Sequence, residues 1–175
     1  MILRLATRDD VTLLDYWDTK PHVKWCTGFD PDAPLDPEDQ EDWAHEITRP
    51  EDWIEILIGE ADGRPIGVIQ IIDPAREATH YWGRCAPDQR AIDIWIGEES
   101  DLGKGFGTLM MQQAIARCFS DPAVTNILID PLQKNVAAIR FYRRLGFVDV
   151  GPRRFGDDDC LVMELRRAQW EETKS

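Results

Sequence analysis

The sequence predicts an α+β fold, a mixed α/β arrangement in which helices pack on a sheet. Short β-branched apolar runs alternate with amphipathic stretches of helical period along the chain. A glycine-rich turn, Leu102-Gly103-Lys104-Gly105-Phe106-Gly107-Thr108, joins one such run to one such stretch. The 175 residues, 43% of them hydrophobic, suit one domain with a single sizeable core, residues 1–175.

Ile2-Leu3-Arg4-Leu5 alternates as a short strand, and Asp9 or Asp10 is placed to cap a helix carrying Val11, Leu14 and Trp17 on one side. From Thr19 to Pro37 the text is rich in turn formers and predicts a loop. Asp36 as N-cap and Pro37 at the first helical position predict a second helix, with Trp43 and Ile47 one turn apart. Trp53–Ile58 and Ile66–Ile72 predict two strands joined at Asp62-Gly63, a pair that accepts the positive φ of a tight hairpin. Asp73–Gln89 has no period and reads as an irregular excursion.

Ala91–Gly97 predicts a central strand with Ile92, Ile94 and Ile96 on one face and Asp93 and Trp95 on the other. A helix follows over Gly105–Phe119, its buried stripe including Met111, Ile115, Cys118 and Phe119. Asn126–Asp130 is a strand. Asn135–Leu145 is a helix with Ala138, Phe141, Tyr142 and Leu145 on one face, closed by Gly146. Phe147–Val150 and Cys160–Leu165 are the last strands, with a basic-then-acidic turn from Arg153 to Asp159 between them.

Thirty-three acidic against twenty basic residues give a net charge of −13. Such a field repels nucleic acid and anionic membrane and gathers cations. No run of about 18 apolar residues predicts a membrane span, and the first ten residues become charged too early for a signal peptide, so a cytoplasmic protein is expected. Four cysteines and three histidines are scattered without ligand spacing, which argues against a metal site or a disulfide framework.

Two motifs carry chemistry. Glycines at 103, 105 and 107 let the chain turn sharply and bring amides near a ligand, and the helix start adds unpaired donors and a positive dipole end. That combination suits a pyrophosphate. The lysine-ending phosphate loop is absent, and glycines spaced at twos do not match the dinucleotide fingerprint. Asn135-Val136-Ala137-Ala138-Ile139-Arg140-Phe141-Tyr142-Arg143-Arg144-Leu145-Gly146-Phe147 then places a phenol one helical turn from a small residue, which leaves room for a ligand.

Together these blocks resemble the GCN5-related N-acetyltransferase (GNAT) family, most closely its aminoglycoside 6′-N-acetyltransferase branch. The resemblance is carried by Ala91-Ile92-Asp93, Leu102–Thr108, Asp121-Pro122, Asp130-Pro131 and Asn135 in that order. It implies a mostly antiparallel twisted sheet that splays where acetyl-CoA binds, with flanking helices. It implies acetyl-CoA as co-substrate, held by Leu102, Gly103, Lys104, Gly105, Phe106, Gly107 and Thr108 at the pyrophosphate. Asn135 would lie near the pantetheine arm, and free backbone N–H groups at Trp95 and Gly97 would hold the pantetheine and acetyl carbonyl. Leu102 departs from the usual Arg or Gln of the motif. The resemblance assigns Asp93 as base or amine anchor, Tyr142 as the acid for the departing sulfur, and Asp130 and Trp25 as further contacts to the acceptor.

The chemistry agrees with these roles. An ammonium group has no lone pair for attack, so a carboxylate or an ordered water must take its proton. Asp93 is a lone acid among isoleucines, where it needs a partner. No Cys or Ser stands in a nucleophile motif, which favours direct transfer in a ternary complex. Acids from Asp30 to Glu46 crowd the early loop and would steer a polycationic amine. The expected partner is a small cationic amine, bound by a monomer or homodimer. Competing readings are acylation of a siderophore hydroxylamine precursor or a peptide N-terminus, and a non-catalytic coenzyme A sensor.

Overall fold

The computed structural model describes residues 1–36 and 38–173. Its strands are β1 (Ile2–Leu5), β2 (Ile54–Ala61), β3 (Arg64–Ile72), β4 (Gln89–Ile96), β5 (Asn126–Ile129), β6 (Val148–Phe155) and β7 (Asp158–Arg166). The helices are α1 (Val11–Asp18), α2 (Pro21–Cys26), α3 (Trp43–Thr48), α4 (Phe106–Cys118), α5 (Val136–Arg144) and α6 (Arg167–Glu172). The strands form one seven-stranded sheet in the order β1-β2-β3-β4-β5-β7-β6. Its β1–β2, β5–β7 and β6–β7 pairs are antiparallel and its β4–β5 pair is parallel. The described residues divide into two compact units: Met1–Gln70 with Ile94–Gln113, and Ile71–Asp93 with Ala114 onward.

In the first unit, Leu14 and Trp17 of α1, Trp43 of α3, Ile56 and Ile58 of β2 and Val68 of β3 make one buried cluster. The hairpin turn forms at Asp62 (φ 52°) and Gly63 (φ 75°), as the Asp-Gly pair requires. A methyl at Gly59 would stand 2.6 Å from the sulfur of Met110, so β2 and α4 pack in direct contact there. In the second unit, Trp82, Ala91, Leu128, Leu132, Phe155, Cys160 and Val162 form the core cluster.

Several boundaries differ from the sequence expectations. Within the expected loop, residues 21–26 are helical, because Pro21 sits at a helix start, where its missing N–H costs nothing. The helix expected from Asp36 begins at Trp43 instead. Asp42 is its N-cap, its carboxylate accepting from His45 N–H at 3.0 Å, while Asp36 accepts from Glu38 N–H and holds a turn. Pro37, expected at the first helical position, lies outside the described residues. Asp10 stands at the N-cap of α1, as expected, but its carboxylate bonds elsewhere: it accepts from Arg4 at 2.7 and 2.8 Å and from Thr7 N–H at 2.8 Å. The expected turn over 153–159 is narrower, since β6 runs to Phe155 and β7 starts at Asp158, with Arg154 opposite Asp159 across the hairpin. Helix α6 was not expected; its six residues are too few to display a period.

Candidate active site

Parallel pairing of β4 with β5 runs through Gln89–Asn126, Arg90–Ile127 and Ala91–Leu128 and stops there, although β4 continues to Ile96. The strand carrying Asp93 thus leaves its parallel neighbour just before the acid, the splay the sequence expectation called for.

Asp93 is half-buried, and its carboxyl has no hydrogen bond or ion pair among the described residues. Loss of water around it pushes its carboxyl from the ordinary range up to about 6. Asp130, one residue past β5, is raised to about 7, first by burial and then by the charge of Asp93. Two acids that feel each other in a dry setting titrate as a pair. A cationic amine relieves both, by supplying the countercharge and by allowing the proton to leave.

Tyr81 completes this group and was missed by sequence reasoning. Its hydroxyl donates to Asp130 Oδ2 at 2.6 Å, and its ring stacks on Phe155 with centroids 4.5 Å apart and planes 8° apart. Trp82 meets both rings edge-on, at 5.8 and 5.2 Å. The backbone beneath is pinned by Glu77, which is 6% exposed and accepts from the amides of Thr79 and Tyr81 at 2.7 and 2.9 Å. The excursion over residues 73–89 is therefore an ordered platform. Its signal in the sequence was the adjacent pair Tyr81-Trp82 in a stretch without period.

Tyr142 is 8% exposed on α5, beside Phe141 and Phe147 at centroid distances of 5.1 and 5.9 Å. Asn135 caps the same helix, its side-chain oxygen accepting from Ala138 N–H at 3.0 Å. Its structural duty is that cap, which fixes where α5 begins and therefore where Tyr142 stands. Cys160, nearby in the same unit, is held as a neutral thiol: burial, then Asp130, push it up to about 12. A thiol in that state is a poor nucleophile at neutral pH.

The glycine turn lies in the first unit. Gly103 and Gly105 adopt φ of 72° and 85°, and no atom lies within 4 Å of where their β-carbons would be, so glycine is needed for the backbone conformation. Leu102, Gly103, Lys104 and Gly105 are exposed, while Phe106, Gly107 and Thr108 are half-buried in the first turn of α4. Backbone bonding into the helix starts with Leu109 N–H on the Gly105 carbonyl at 3.2 Å, and the first-turn amides before it have no acceptor within the helix. Asp101, 3% exposed, anchors the turn through Arg64 at 2.6 and 2.9 Å and through Lys104 at 3.4 Å. The turn fits a diphosphate: exposed amides, a positive helix end and a lysine at the rim.

One expected contact comes out differently. The N–H of Gly97 donates to the carbonyl of Ile66 at 2.9 Å, so it is not free for a pantetheine amide. Gly97 is glycine for another reason: a β-carbon would stand 1.9 Å from the indole of Trp17. Trp25 lies on α2 with 38% of its surface exposed. The indole of Trp95, two residues beyond Asp93, packs against Trp43 with centroids 5.9 Å apart.

A protein-family model described as an acetyltransferase (GNAT) domain matches residues 6–155. The chain belongs to the GNAT acetyltransferase family. Over 174 residues this acetyltransferase is 30% identical to the aminoglycoside N(6′)-acetyltransferase type 1 of Klebsiella pneumoniae, covering 99% of this chain and 86% of that one. The crystal structure of aminoglycoside acetyltransferase AAC(6′)-Ib in complex with coenzyme A matches it with a TM-score of 0.86 and 30% identity, over 99% of this chain and 98% of that one. The complex of that enzyme with coenzyme A and kanamycin matches with a TM-score of 0.85 and 29% identity, over the same shares of each chain. As a GNAT acetyltransferase the protein is an N-acetyltransferase that draws its acetyl group from acetyl-CoA. Among the described residues no helix is long and apolar enough to cross a membrane.

Proposed function

We propose that this acetyltransferase moves the acetyl group of acetyl-CoA onto the 6′-amine of an aminoglycoside, by direct transfer in a ternary complex. The observation that carries this reading is the Asp93–Asp130 pair, two desolvated carboxyls of which one has no hydrogen bond or ion pair among the described residues. A single amine needs one such acid; a polyamine sugar has an ammonium for each. The relatives that act on aminoglycosides support the same acceptor class.

In this reading Asp93 anchors the reactive ammonium and takes its proton, directly or through water. A carboxylate raised to about 6 is a better base than an ordinary one and is still ionised at neutral pH. Asp130 holds a second ammonium and fixes the acceptor's orientation. Amides of Gly103 to Thr108 and the Lys104 ammonium hold the pyrophosphate. Tyr142 gives a proton to the departing sulfur. The neutral Cys160 thiol argues against an acetyl-cysteine step and for direct transfer.

The test is release of free thiol from acetyl-CoA with kanamycin, a polyamine, hydroxylysine and a peptide as acceptors. Turnover of kanamycin is expected, and Asp93→Asn should lower kcat at least about a hundredfold, the usual contribution of a general base. Asp130→Ala should raise KM for kanamycin and leave KM for acetyl-CoA unchanged. Turnover confined to hydroxylysine would overturn the acceptor assignment, and coenzyme binding with no turnover would overturn the catalytic one.

A further inference from the structure

The chain that leads into the glycine turn is acidic: Glu98, Glu99 and Asp101 precede Lys104, the one cation in the sequence from Leu102 to Thr108. Acids that close repel a polyanion, so the state of the single cation bears on its affinity. Glu98 is matched by Lys20 at 3.1 Å. Asp101 is the harder case. Its carboxylate is almost wholly buried and has to be paired, and Lys104 stands three residues away, within reach of it. A lysine that neutralised this acid would have little charge left to offer a ligand.

Arg64 changes that balance. It opens β3, directly after the Asp62-Gly63 turn, and lies 37 positions before Asp101 in the chain. Its two terminal guanidinium nitrogens donate to Asp101 Oδ2 and Oδ1 at 2.6 and 2.9 Å, one bond to each oxygen. Such a forked pair is among the strongest a carboxylate can make. Lys104 reaches Oδ1, which Arg64 already occupies, at 3.4 Å, and 55% of its side chain stays exposed. Arg64 does most to keep this carboxyl below the ordinary carboxylate range, against its burial, and Lys104 contributes after it. Two cations on one acid leave one positive charge over, and the loosely held partner is Lys104.

We propose that Arg64 is a positioning residue for acetyl-CoA: by saturating Asp101 it releases Lys104 to turn to the pyrophosphate. This rests on the reading that Lys104 and the turn amides hold that group, and it is independent of which amine accepts the acetyl. Arg64 acts through Asp101 and Lys104. Its removal therefore does its harm by letting the buried acid claim the lysine, and that harm should vanish when the acid is removed as well.

That rescue is the test. Acetyl-CoA is titrated by calorimetry into the full chain with no acceptor present. Lys104→Ala should weaken binding about fivefold, the upper end for an ion pair at a half-exposed lysine. Unchanged binding there would overturn the pyrophosphate reading of Lys104 and the proposal with it. Arg64→Ala should weaken binding by a similar factor, whereas Arg64→Lys keeps the charge and should keep most of the affinity. Adding Asp101→Asn to Arg64→Ala should restore binding. A merely structural Arg64 predicts the reverse, since the double variant loses a second anchor of the turn. In Lys104→Ala, a further Arg64→Ala should cost nothing. Full affinity in Arg64→Ala, no recovery in the double variant, or additive losses with Lys104→Ala would each overturn the proposal. Should Arg64→Ala with Asp101→Asn fail to fold, the contrast of Arg64→Ala with Arg64→Lys and the combination with Lys104→Ala decide it.

Discussion

The hydroxyl of Tyr81 sits 2.6 Å from Asp130, and this one bond ties the aromatic platform to the acid pair. Burial and Asp93 raise the Asp130 carboxyl, whereas the bond from Tyr81 lowers it. Tyr81→Phe keeps the stack on Phe155 and deletes only the donor, so Asp130 should then hold its proton to higher pH. In the function proposed above, acceptor binding needs the ionised acid. The acid limb of kcat/KM, set in the unaltered protein by groups near about 6 and 7, should therefore shift upward in the variant. The loss should be large near neutrality and small at about pH 9, where Asp130 is ionised in both proteins. A profile displaced equally at every pH would assign Tyr81 to packing alone. None of this was readable from the residue itself, because Tyr81 lies in a segment without period and its partner is 49 positions away.

Glycines of two kinds mark the ends of the segment from β4 to α4. Gly103 has open space around it and a left-handed φ of 72°, whereas a side chain at Gly97 would enter the ring of Trp17. The substitutions should therefore separate. Gly103→Ala strains the backbone by about 1–2 kcal/mol and should weaken acetyl-CoA in calorimetry, with little effect on acceptor KM. Gly97→Ala overpacks the first unit's core, a cost of about 1–3 kcal/mol, and should lower Tm by about 2–4 °C per kcal/mol with no selective effect on the coenzyme. Equal loss of Tm with no loss of coenzyme affinity in Gly103→Ala would count against the pyrophosphate assignment. Elements with a full period, such as α4 and α5, were legible to within a residue or two. The short α2, α3 and α6 were not, because six residues are too few to show an apolar repeat; α2 starts at Pro21 and α3 at the Asp42 cap.

Across the whole chain the charge of −13 acts on both substrates in opposite senses. It would draw the polycationic acceptor proposed above and repel the polyanionic acetyl-CoA. Screening shortens to about 3 Å at 1 M salt from about 10 Å at 0.1 M. Raising salt should thus raise the KM for kanamycin and lower the KM for acetyl-CoA in the same assay; movement of both KM values in one direction would show that the net field does not control encounter. Many of the early acids also have local work: Asp30, Asp36 and Asp42 each accept from a nearby backbone amide. Alternating periods, a glycine turn before a helix and the Asn135–Phe147 block were enough to establish the mixed sheet and the acetyltransferase family, since each is a pattern within a few turns of chain. Packing alone decided the rest: that Asp93 and Asp130 share a dry setting, that Tyr81 reaches the second of them, that the Gly97 amide is spent on Ile66, and that Trp95 lies beside Trp43. Those contacts join residues far apart in the chain, and their energies come from burial and lost water, which no local spacing records.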